Sequence, residues 1–383
     1  MSSADHARFM ARAIQLAERG RYTTQPNPRV GCVLVAERES GSEIVAEGWH
    51  EKAGSGHAEV NALAALAAQG MSGQGLTAYV TLEPCNHQGR TGPCSQALVD
   101  AGIARLVYGM QDPNPKVAGS GLTRLLSAGI EVVGPVMEAQ VRALNPGFIK
   151  RMELGLPWVR VKLAMSLDGR TAMASGESQW ITGTEARADV QRLRAASCAI
   201  VTGIDTVLHD DAALTVRAKD LGLAADLAAK AAARQPLRVV LDRRNRMPQS
   251  SRLLSAGGEV LLVQNNPQDY AGSAVPVQSW ALPMQQSDGL DLKLLLEELV
   301  RRECNEVLVE AGSRLAGSFM AAGLVDELIV YMAPTIMGSS ARPLLQLPLD
   351  QMAEQRKLDI VDIRAVGSDW RITARPAAIA KVS

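Results

Sequence analysis

The sequence has few aromatic residues and no excess of charge of either sign. Phe, Trp and Tyr make up 3% of its 383 residues, and 40 basic side chains balance 40 acidic ones. Proteins that bind nucleic acid usually present a basic surface and aromatic rings that stack on the bases. The composition therefore favours a small-molecule substrate over nucleic acid.

Long apolar runs are also missing. No segment approaches the ~20 consecutive apolar residues of a transmembrane helix, and residues 1–8 lack the basic and apolar regions of a secretory signal. The cysteines are odd in number and scattered, which argues against a disulfide framework. They are Cys32, Cys85, Cys94, Cys198 and Cys304. We expect a cytoplasmic protein without a membrane segment.

The length and the pattern of the chain predict two domains. Strand-like and helix-like segments alternate through the first 145 residues, which predicts an α/β domain with a mostly parallel sheet. Turn-forming residues and a basic stretch at 145–157 mark a boundary. We assign 1–146 to the first domain and 147–383 to a second domain that is again α/β.

The first domain contains residues of the types and spacing that bind a metal ion. His57 and Glu59 are followed by Cys85 and Cys94. One imidazole and two thiolates give zinc three protein ligands and leave a fourth tetrahedral position for water, as in catalytic sites. Bound zinc lowers the pKa of such a water towards ~7. Glu59 is not needed as a ligand and is expected to transfer protons. This set is the signature of nucleobase deaminases.

The predicted context of these residues supports a ligand site. His57 and Cys94 each stand where a helix is predicted to begin, and a helix N-terminus favours thiolate over thiol. The predicted strand 77–82 ends shortly before Cys85. Both sulfurs are therefore expected at the carboxyl edge of a strand, where open α/β sheets bind ligands.

A structural zinc site and a chance match are the alternatives. A structural site needs a fourth ligand, which His87 or Cys32 could supply. Glu59 favours the catalytic interpretation, because a structural site does not require it.

The spacing of the two cysteines is unusual for a deaminase. Residues 86–93 separate them, where the common form has two residues. The inserted loop is polar, rich in glycine and cationic at Arg90. Such a loop could hold a phosphate, which would make the substrate nucleotide-like and not a free base.

The second half lacks a Gly-x-Gly-x-x-Gly segment after a strand, so a dinucleotide-binding Rossmann domain is not indicated. Two segments do place polar residues after a predicted strand. Residues 161–171 end in a Ser-Leu-Asp-Gly-Arg turn, and residues 307–318 pass from Glu310 through a Gly-Ser turn into a helix. Backbone N–H groups at such a turn can bind phosphate. Each turn taken alone is also an ordinary connection.

Several motifs together resemble the family of bifunctional riboflavin-biosynthesis deaminase/reductases. They occupy residues 24–32, 56–60, 81–87, 89–94 and 111–115, together with the two segments of the second half. The resemblance covers nearly the whole chain, and the extended cysteine spacing is specific to this branch of deaminases. It implies an N-terminal cytidine-deaminase-like three-layer domain and a C-terminal dihydrofolate-reductase-like domain, both α/β.

The resemblance also implies two successive reactions. In the first, a zinc-activated water deaminates 2,5-diamino-6-(5-phosphoribosylamino)pyrimidin-4-one to the aminouracil. In the second, NADPH reduces the ribosyl group to a ribityl chain. The implied cofactors are Zn²⁺ and NADPH, and we expect a homo-oligomer.

For the deaminase, the resemblance implies that Asn27 and His50 line the pyrimidine and ribose pocket and that His87 and Arg90 bind the phosphate. From the residues alone, a turn-forming Asn and partly exposed loop cations remain the alternative.

For the reductase, the resemblance assigns residues to the cofactor and to the substrate. The implied cofactor contacts are Ala164, Trp180, Thr206, Asp210, Gly312, Ser313, Arg314, Leu315, Ala316, Gly317 and Ser318. The implied substrate contacts are Lys162, Ser178, Arg194, Leu214, Arg217 and Glu310, with Lys162 holding the substrate or assisting protonation. Arginines suit phosphate because a guanidinium forks onto its oxygens, although Arg194 and Arg217 could equally be exposed arginines. Arg243 stands where relatives often have a small polar residue, and either contacts the 2′-phosphate of NADPH or faces water.

Two other functions stay open from the sequence. A nucleic-acid or nucleoside deaminase with an accessory α/β domain would need a basic groove and stacking aromatics, which the composition does not offer. A non-catalytic module with a relic zinc site would be expected to have lost Glu59 or a thiol, and these are present.

Overall fold

Each half of the chain forms one large sheet with helices packed against it, and the second half adds a two-stranded sheet of residues 170–172 and 342–343. The computed structural model describes residues 2–39, 41–86, 92–115, 117–282 and 290–377. The chain divides into two units, 1–156 and 157–383, each with buried apolar clusters of its own.

The first unit contains strands and helices in alternation. Its strands are β1 (Gly31–Arg38), β2 (Gly41–Trp49), β3 (Thr77–Leu82), β4 (Arg105–Met110) and β5 (Glu131–Val133). Its helices are α1 (Ser3–Glu18), α2 (Ala58–Ala67), α3 (Cys94–Asp100), α4 (Ser120–Ser127), α5 (Glu138–Leu144) and α6 (Pro146–Leu154).

The sheet of the first unit is mixed, with the order β2-β1-β3-β4-β5. Strands β3, β4 and β5 are parallel, whereas β1 pairs antiparallel with both β2 and β3. The prediction of a mostly parallel sheet was wrong for this edge. Only residues 39 and 40 separate β1 from β2, and a parallel crossover needs roughly a dozen residues or more, so the two strands form a hairpin.

Helices cover both faces of this sheet. Alternate residues of β1 point to opposite faces, so that Cys32 and Leu34 enter one core cluster and Val33 and Val35 enter another. Helices α2, α3 and α4 pack on the first face, and α1, α5 and α6 pack on the second. This is the three-layer arrangement expected for a cytidine-deaminase-like domain.

The division between the units falls after Leu156, beyond residue 146 where the sequence placed the end of the first domain. Helix α6 accounts for the difference. Its Ile149 is buried in the same cluster as Phe9 and Val141, so the helix packs within the first unit.

The second unit contains eleven strands among its described residues. They are β6 (Trp158–Ser166), β7 (Arg170–Ala172), β8 (Ala199–Gly203), β9 (Leu237–Leu241), β10 (Val260–Gln264), β11 (Val277–Ala281), β12 (Glu306–Glu310), β13 (Glu327–Ala333), β14 (Arg342–Pro343), β15 (Leu358–Val366) and β16 (Asp369–Pro376). The helices are α7 (Thr184–Ala196), α8 (Ile204–Asp210), α9 (Ala225–Ala233), α10 (Arg252–Ser255), α11 (Leu292–Arg301) and α12 (Ser313–Ala321), with short 3₁₀ turns at Ala218–Asp220 and Met352–Glu354.

Nine strands of this unit form one sheet in the order β11-β10-β9-β8-β12-β6-β13-β16-β15. The seven strands from β11 to β13 are parallel, and β16 and β15 complete the sheet antiparallel. The carboxyl ends of β6, β8, β9 and β12 therefore meet at one edge. The loops that follow these strands are placed together there, as in other open α/β sheets that bind ligands.

No helix among the described residues is long and apolar enough to cross a membrane.

Candidate active sites

Three donor atoms converge near the carboxyl end of β3. The Sγ atoms of Cys85 and Cys94 lie 3.5 Å and 3.3 Å from Nδ1 of His57. All three donor atoms lie within 4.8 Å of one another. With Zn–S and Zn–N bonds of about 2.3 and 2.0 Å, tetrahedral zinc holds sulfur and nitrogen about 3.5 Å apart. The three side chains therefore fit one zinc ion.

These donors are held in place by the first residues of two helices and by the end of one strand. His57 is the N-cap residue of α2 and Cys94 is the first residue of α3, which confirms the predicted helix starts. The Cys94 N–H donates to Sγ of Cys85 at 3.4 Å. Hydrogen bonds from the Cys94 thiol, from His57 and from this N–H lower the pKa of Cys85 to about 4. A thiolate ligand is therefore available at neutral pH.

Glu59 lies in the first turn of α2 with its side chain buried beside Cys94. Burial raises the pKa of Glu59 to about 7, and the charge of Cys85 adds to this rise. The positive charge of a bound zinc acts in the opposite direction. A carboxyl group whose pKa is near the working pH can both accept and return a proton.

Asn27 and His50 lie beside the metal ligands. The rings of His50 and His57 meet edge to face, with centroids 5.4 Å apart. Nδ1 of His50 is 3.1 Å from the Gly56 carbonyl oxygen, which can only accept, so Nδ1 carries the hydrogen. Nε2 then accepts from the Asn27 amide at 3.2 Å. Burial lowers the pKa of His50, which favours this neutral form.

Two predicted phosphate contacts, His87 and Arg90, lie outside the described residues. Cys32, which was considered as a fourth ligand, is buried in β1 and does not join the ligand group. Among the residues that the structure describes, zinc would therefore have three protein ligands.

The second unit has a large cleft of about 2160 Å³ at the carboxyl edge of its parallel strands. All the predicted reductase contacts line this cleft except Ala316 and Gly317. Ala316 is buried, and a Cβ at Gly317 would lie 2.0 Å from the Gln346 carbonyl oxygen. The turn of α12 therefore directs these two residues away from the cleft, although they belong to the same motif.

Lys162, Glu310 and Arg194 form the floor of the cleft. Lys162 and Glu310 are paired residues of β6 and β12. Arg194 donates to both carboxylate oxygens of Glu310, at 2.6 and 2.9 Å. Burial works to raise the pKa of Glu310, but the charge and the hydrogen bonds of Arg194 hold it below its usual value. Burial lowers the pKa of Lys162, against the opposing effect of Glu310.

The walls of the cleft are rich in positive charge. Among the described residues, twelve Lys or Arg side chains line it against five Asp or Glu side chains. Arg217 is held by its backbone N–H, which donates to Gln191 Oε1 at 2.9 Å. Trp180 projects into the opening with 72% of its surface exposed, and the Arg187 guanidinium lies 4.7 Å from the centre of its rings. These features suit a planar ligand that carries phosphate groups.

Two family models match the chain. The model described as RibD C-terminal domain matches residues 157–372. The model described as cytidine and deoxycytidylate deaminase zinc-binding region matches residues 3–110. The riboflavin biosynthesis protein RibD of Escherichia coli K12 is 50% identical over 363 residues, which cover 94% of this chain and 96% of that protein.

Solved structures agree over the same length. RibD of Acinetobacter baumannii has a TM-score of 0.88 at 44% identity, covering 98% of this chain and 100% of that chain. A Thermotoga maritima diaminohydroxyphosphoribosylaminopyrimidine deaminase/5-amino-6-(5-phosphoribosylamino)uracil reductase has a TM-score of 0.83 at 31% identity, covering 98% and 99%.

The chain belongs to the RibD family. It is a bifunctional enzyme of riboflavin biosynthesis, with a deaminase unit and a reductase unit, and its cofactors are zinc and NADPH. The alternative of a deaminase with an unrelated accessory domain is excluded, because the second unit matches the RibD reductase model.

In this RibD-family enzyme, Glu83 organises the metal site and was not predicted from the sequence. Its buried carboxylate accepts hydrogen bonds from the N–H groups of Asp112, Gly119 and Gly121, at 3.2, 3.0 and 2.9 Å. A Cβ at Gly121 would lie 2.0 Å from the Pro84 carbonyl oxygen. The contacts fix the backbone between β3 and the first cysteine ligand. An acidic residue that directly follows an apolar strand was the available signal.

Arg187 and Gln191 of the RibD reductase cleft were also missed. They lie on α7 with Arg194, at the spacing of four and three residues that places side chains on one helix face. Once Arg194 is assigned to the site, this spacing predicts that Arg187 and Gln191 face the cleft as well.

Proposed function

We propose that the first unit deaminates 2,5-diamino-6-(5-phosphoribosylamino)pyrimidin-4-one and that the second unit reduces the ribosyl group of the resulting aminouracil to a ribityl chain. The observation that carries this proposal is the donor set of His57, Cys85 and Cys94, with the buried carboxyl group of Glu59 beside it. The name of the Thermotoga maritima relative states both activities for that protein.

In the deamination, Glu59 transfers the protons. Zinc, when bound by the three ligands, lowers the pKa of a water molecule. Glu59 accepts a proton as this water adds to the ring carbon and gives it to the ring nitrogen. It then takes the proton of the added hydroxyl and gives it to the amine, so that the C–N bond breaks, ammonia leaves and one water is consumed. Asn27 and His50 line the pocket for the pyrimidine and ribose. His87 and Arg90 bind the substrate phosphate.

In the reduction, Lys162 is the proton donor at the floor of the cleft. NADPH, when bound, supplies a hydride to C1′ of the ribosyl group. The ring oxygen takes a proton as the sugar opens. Because the pKa of Lys162 is lowered, its ammonium group gives up a proton to this oxygen more readily than an ordinary lysine would. Arg194 and Glu310, held together by two hydrogen bonds, present a fixed polar surface to the substrate.

The remaining cleft residues divide between the two ligands. We propose Ser178, Leu214 and Arg217 as further substrate contacts. The cofactor contacts are Ala164, Trp180, Thr206 and Asp210, together with the turn and helix start at 312–318, where backbone N–H groups at the N-terminus of α12 suit a phosphate.

We further propose a cytoplasmic homo-oligomer that acts on a small molecule and does not bind nucleic acid. Strand β15 supports self-association, because it is the edge of the sheet and exposes about half or more of the surface of Ile360, Val361 and Ile363. Analytical ultracentrifugation tests this part, and a monomer at micromolar concentration would contradict it.

Replacement of Glu59 by Gln separates the two reactions. We expect Glu59→Gln to retain zinc, to lose ammonia release, and to keep NADPH oxidation when the aminouracil phosphoribosyl compound is supplied directly. Ammonia release by this variant at the wild-type rate would show that Glu59 is not the group that transfers the protons.

A further inference from the structure

A pair of thiols lies at the amino ends of two adjacent parallel strands, at the opposite edge of the sheet from the reductase cleft. Cys198 directly precedes β8, and its N–H donates to the Glu306 carbonyl of β12 at 2.8 Å. Cys304 lies two positions before β12, and its side chain interacts with that of Cys198. Both are free cysteines. The pairing of β8 with β12 therefore places the two cysteines next to each other.

Hydrogen-bond donors surround the sulfur atom of Cys198. The N–H of Asn305 lies 3.3 Å from it. The Glu306 N–H also points at it. The Cys304 thiol interacts with it as well, although the single hydrogen of that thiol also has the Arg302 carbonyl oxygen within reach, at 3.9 Å. Glu303, which has a left-handed φ of 61°, turns the chain after α11 and so brings Cys304 to this position. Donors that point at one sulfur favour its thiolate form.

Arg234 supplies the positive charge. Its Nη2 donates to the carbonyl oxygens of Ala195 and Ser197 at 2.7 and 2.9 Å. Its Nε is buried and finds no hydrogen-bond partner within the described part of the chain. The acidic groups close enough to balance its charge include Cys198 and Glu306. A buried guanidinium favours an anion beside it.

Glu306 does not serve as the main counter-ion of Arg234, because it is paired with Arg160. The Cys198 thiolate is therefore the anion best placed to balance this charge. The Cys304 thiol, the two N–H groups and Arg234 together outweigh the effect of burial and lower the pKa of Cys198 below its usual value. Cys198 therefore has a larger thiolate fraction at neutral pH than an ordinary cysteine.

We propose that Cys198 is a peroxide-reactive thiolate and that Cys304 is its resolving thiol. Cys198 attacks a hydroperoxide such as hydrogen peroxide: an S–O bond forms, the O–O bond breaks and hydroxide leaves. Cys304 then attacks Sγ of Cys198: the S–S bond forms, the S–O bond breaks, and the departing hydroxide takes the Cys304 proton to give water. The two sulfurs lose two electrons in total and the peroxide gains them.

The other cysteines provide internal comparisons. Cys32 is fully buried, and burial raises the pKa of its thiol, so it should be inert. Cys85 and Cys94 are occupied as ligands in the zinc-loaded enzyme.

The disulfide between Cys198 and Cys304 would join β8 to β12 away from the cleft. We therefore expect the melting temperature of the enzyme to rise and NADPH binding to persist.

Peptide mass mapping of the zinc-loaded, full-length enzyme tests the proposal. After treatment with stoichiometric hydrogen peroxide at pH 7, we expect the peptides that contain Cys198 and Cys304 to be linked, with the loss of two hydrogens. In Cys304→Ser, dimedone should instead label Cys198 as its sulfenic acid. Oxidation confined to Cys85 and Cys94 would overturn the proposal.

Alkylation kinetics provide a second test that needs no oxidant. Because the thiolate fraction sets the rate, iodoacetamide at pH 7 should modify Cys198 about tenfold or more faster than Cys32. Arg234→Met should slow this reaction, whereas Cys32→Ser should leave it unchanged. If Cys198 in the wild-type enzyme reacts no faster than Cys32, the thiolate does not form and the proposal fails. This comparison stands even if Cys304→Ser does not fold.

Discussion

Arg194 holds the carboxylate of Glu310 through two parallel hydrogen bonds, at 2.6 and 2.9 Å, on the floor of the reductase cleft. Both side chains are nearly buried, with 13% and 10% of their surfaces exposed. The pair joins α7 to the end of β12, so the orientation of both substrate contacts depends on one interaction.

Arg194→Lys should therefore impair the reductase and leave the deaminase intact. A lysine ammonium cannot make both bonds of the guanidinium fork. Loss of a charge-assisted hydrogen bond costs about 1.5–3 kcal/mol, which would lower kcat/KM for NADPH oxidation roughly 10- to 100-fold. Arg302→Lys, at a more exposed pair with Glu298, is the matched control. Equal losses in the two variants would contradict the role given to Arg194.

Glu83→Gln should weaken the deaminase by loosening the loop beside the metal ligands. An amide offers one acceptor oxygen in place of two, so at least one of the N–H groups that Glu83 binds would lose its partner. We expect a loss of about 1–3 kcal/mol in the free energy of unfolding for each such group.

Ammonia release and zinc loss to a chelator measure the functional effect of Glu83→Gln. We expect slower ammonia release and faster zinc loss, with NADPH oxidation unchanged when the aminouracil phosphoribosyl compound is supplied directly. Glu51→Gln, at an exposed position of the same unit, serves as the control. Wild-type zinc retention and ammonia release in Glu83→Gln would show that the loop contacts do not support the site.

Arg243→Ser should raise the KM for NADPH. Arg243 lines the cleft two positions after β9. The buried Asp242 before it accepts hydrogen bonds from the N–H groups of Arg246 and Met247, at 2.8 Å each, and so shapes the turn. If Arg243 contacts the 2′-phosphate, its loss removes about 1.5–3 kcal/mol of binding to NADPH but not to NADH. Arg124→Ser is the control, because it removes the same charge from an exposed position on a helix of the first unit. Equal changes in the KM for NADPH and NADH would indicate that Arg243 faces water.

Asp168 should cause the free energy of unfolding of the second unit to fall as the solution becomes acidic. The hydroxyl of Ser166 and the N–H groups of Met337 and Gly338 bind its carboxylate, and they lower the pKa of Asp168 from 3.8 to about 2. The unfolded chain then binds a proton more readily than the folded one between these two values, so stability falls as the pH drops from 3.8 towards about 2.

Urea midpoints at pH 5, 4 and 3 measure this dependence. We expect a smaller decline for Asp168→Asn than for the wild-type enzyme, because the amide does not titrate. An identical decline in both proteins would show that Asp168 does not contribute.

Much of the fold could be predicted where one strand or helix carries a strong apolar pattern. Strand β3 has the predicted bounds, 77–82, because all six of its residues are buried. Strands β15 and β16 were missed. Most residues of β15 are exposed, so the strand shows no alternation and depends on its pairing with β16. The antiparallel direction of β1 was also missed, because the direction of a strand depends on the length of its connections and not on its own residues.

The metal site was more predictable than the reductase cleft for a physical reason. Metal ligands are restricted to a few residue types at recognisable spacings, and His57, Cys85 and Cys94 meet as the motif predicts. The cleft is assembled from the ends of several strands and from α7, and its contacts depend on the order of those strands. Glu83 binds backbone N–H groups, which every residue carries, so no sequence pattern identifies its partners.

A coupled time course on the purified wild-type enzyme tests the central claim most directly. The diaminopyrimidine phosphoribosyl substrate is supplied with and without NADPH, and ammonia is followed together with the absorbance of reduced nicotinamide. We predict ammonia release in both cases and NADPH oxidation that begins only after deamination. Ammonia release without any NADPH oxidation would leave the zinc site assigned and contradict the claim that the second unit reduces the product of the first.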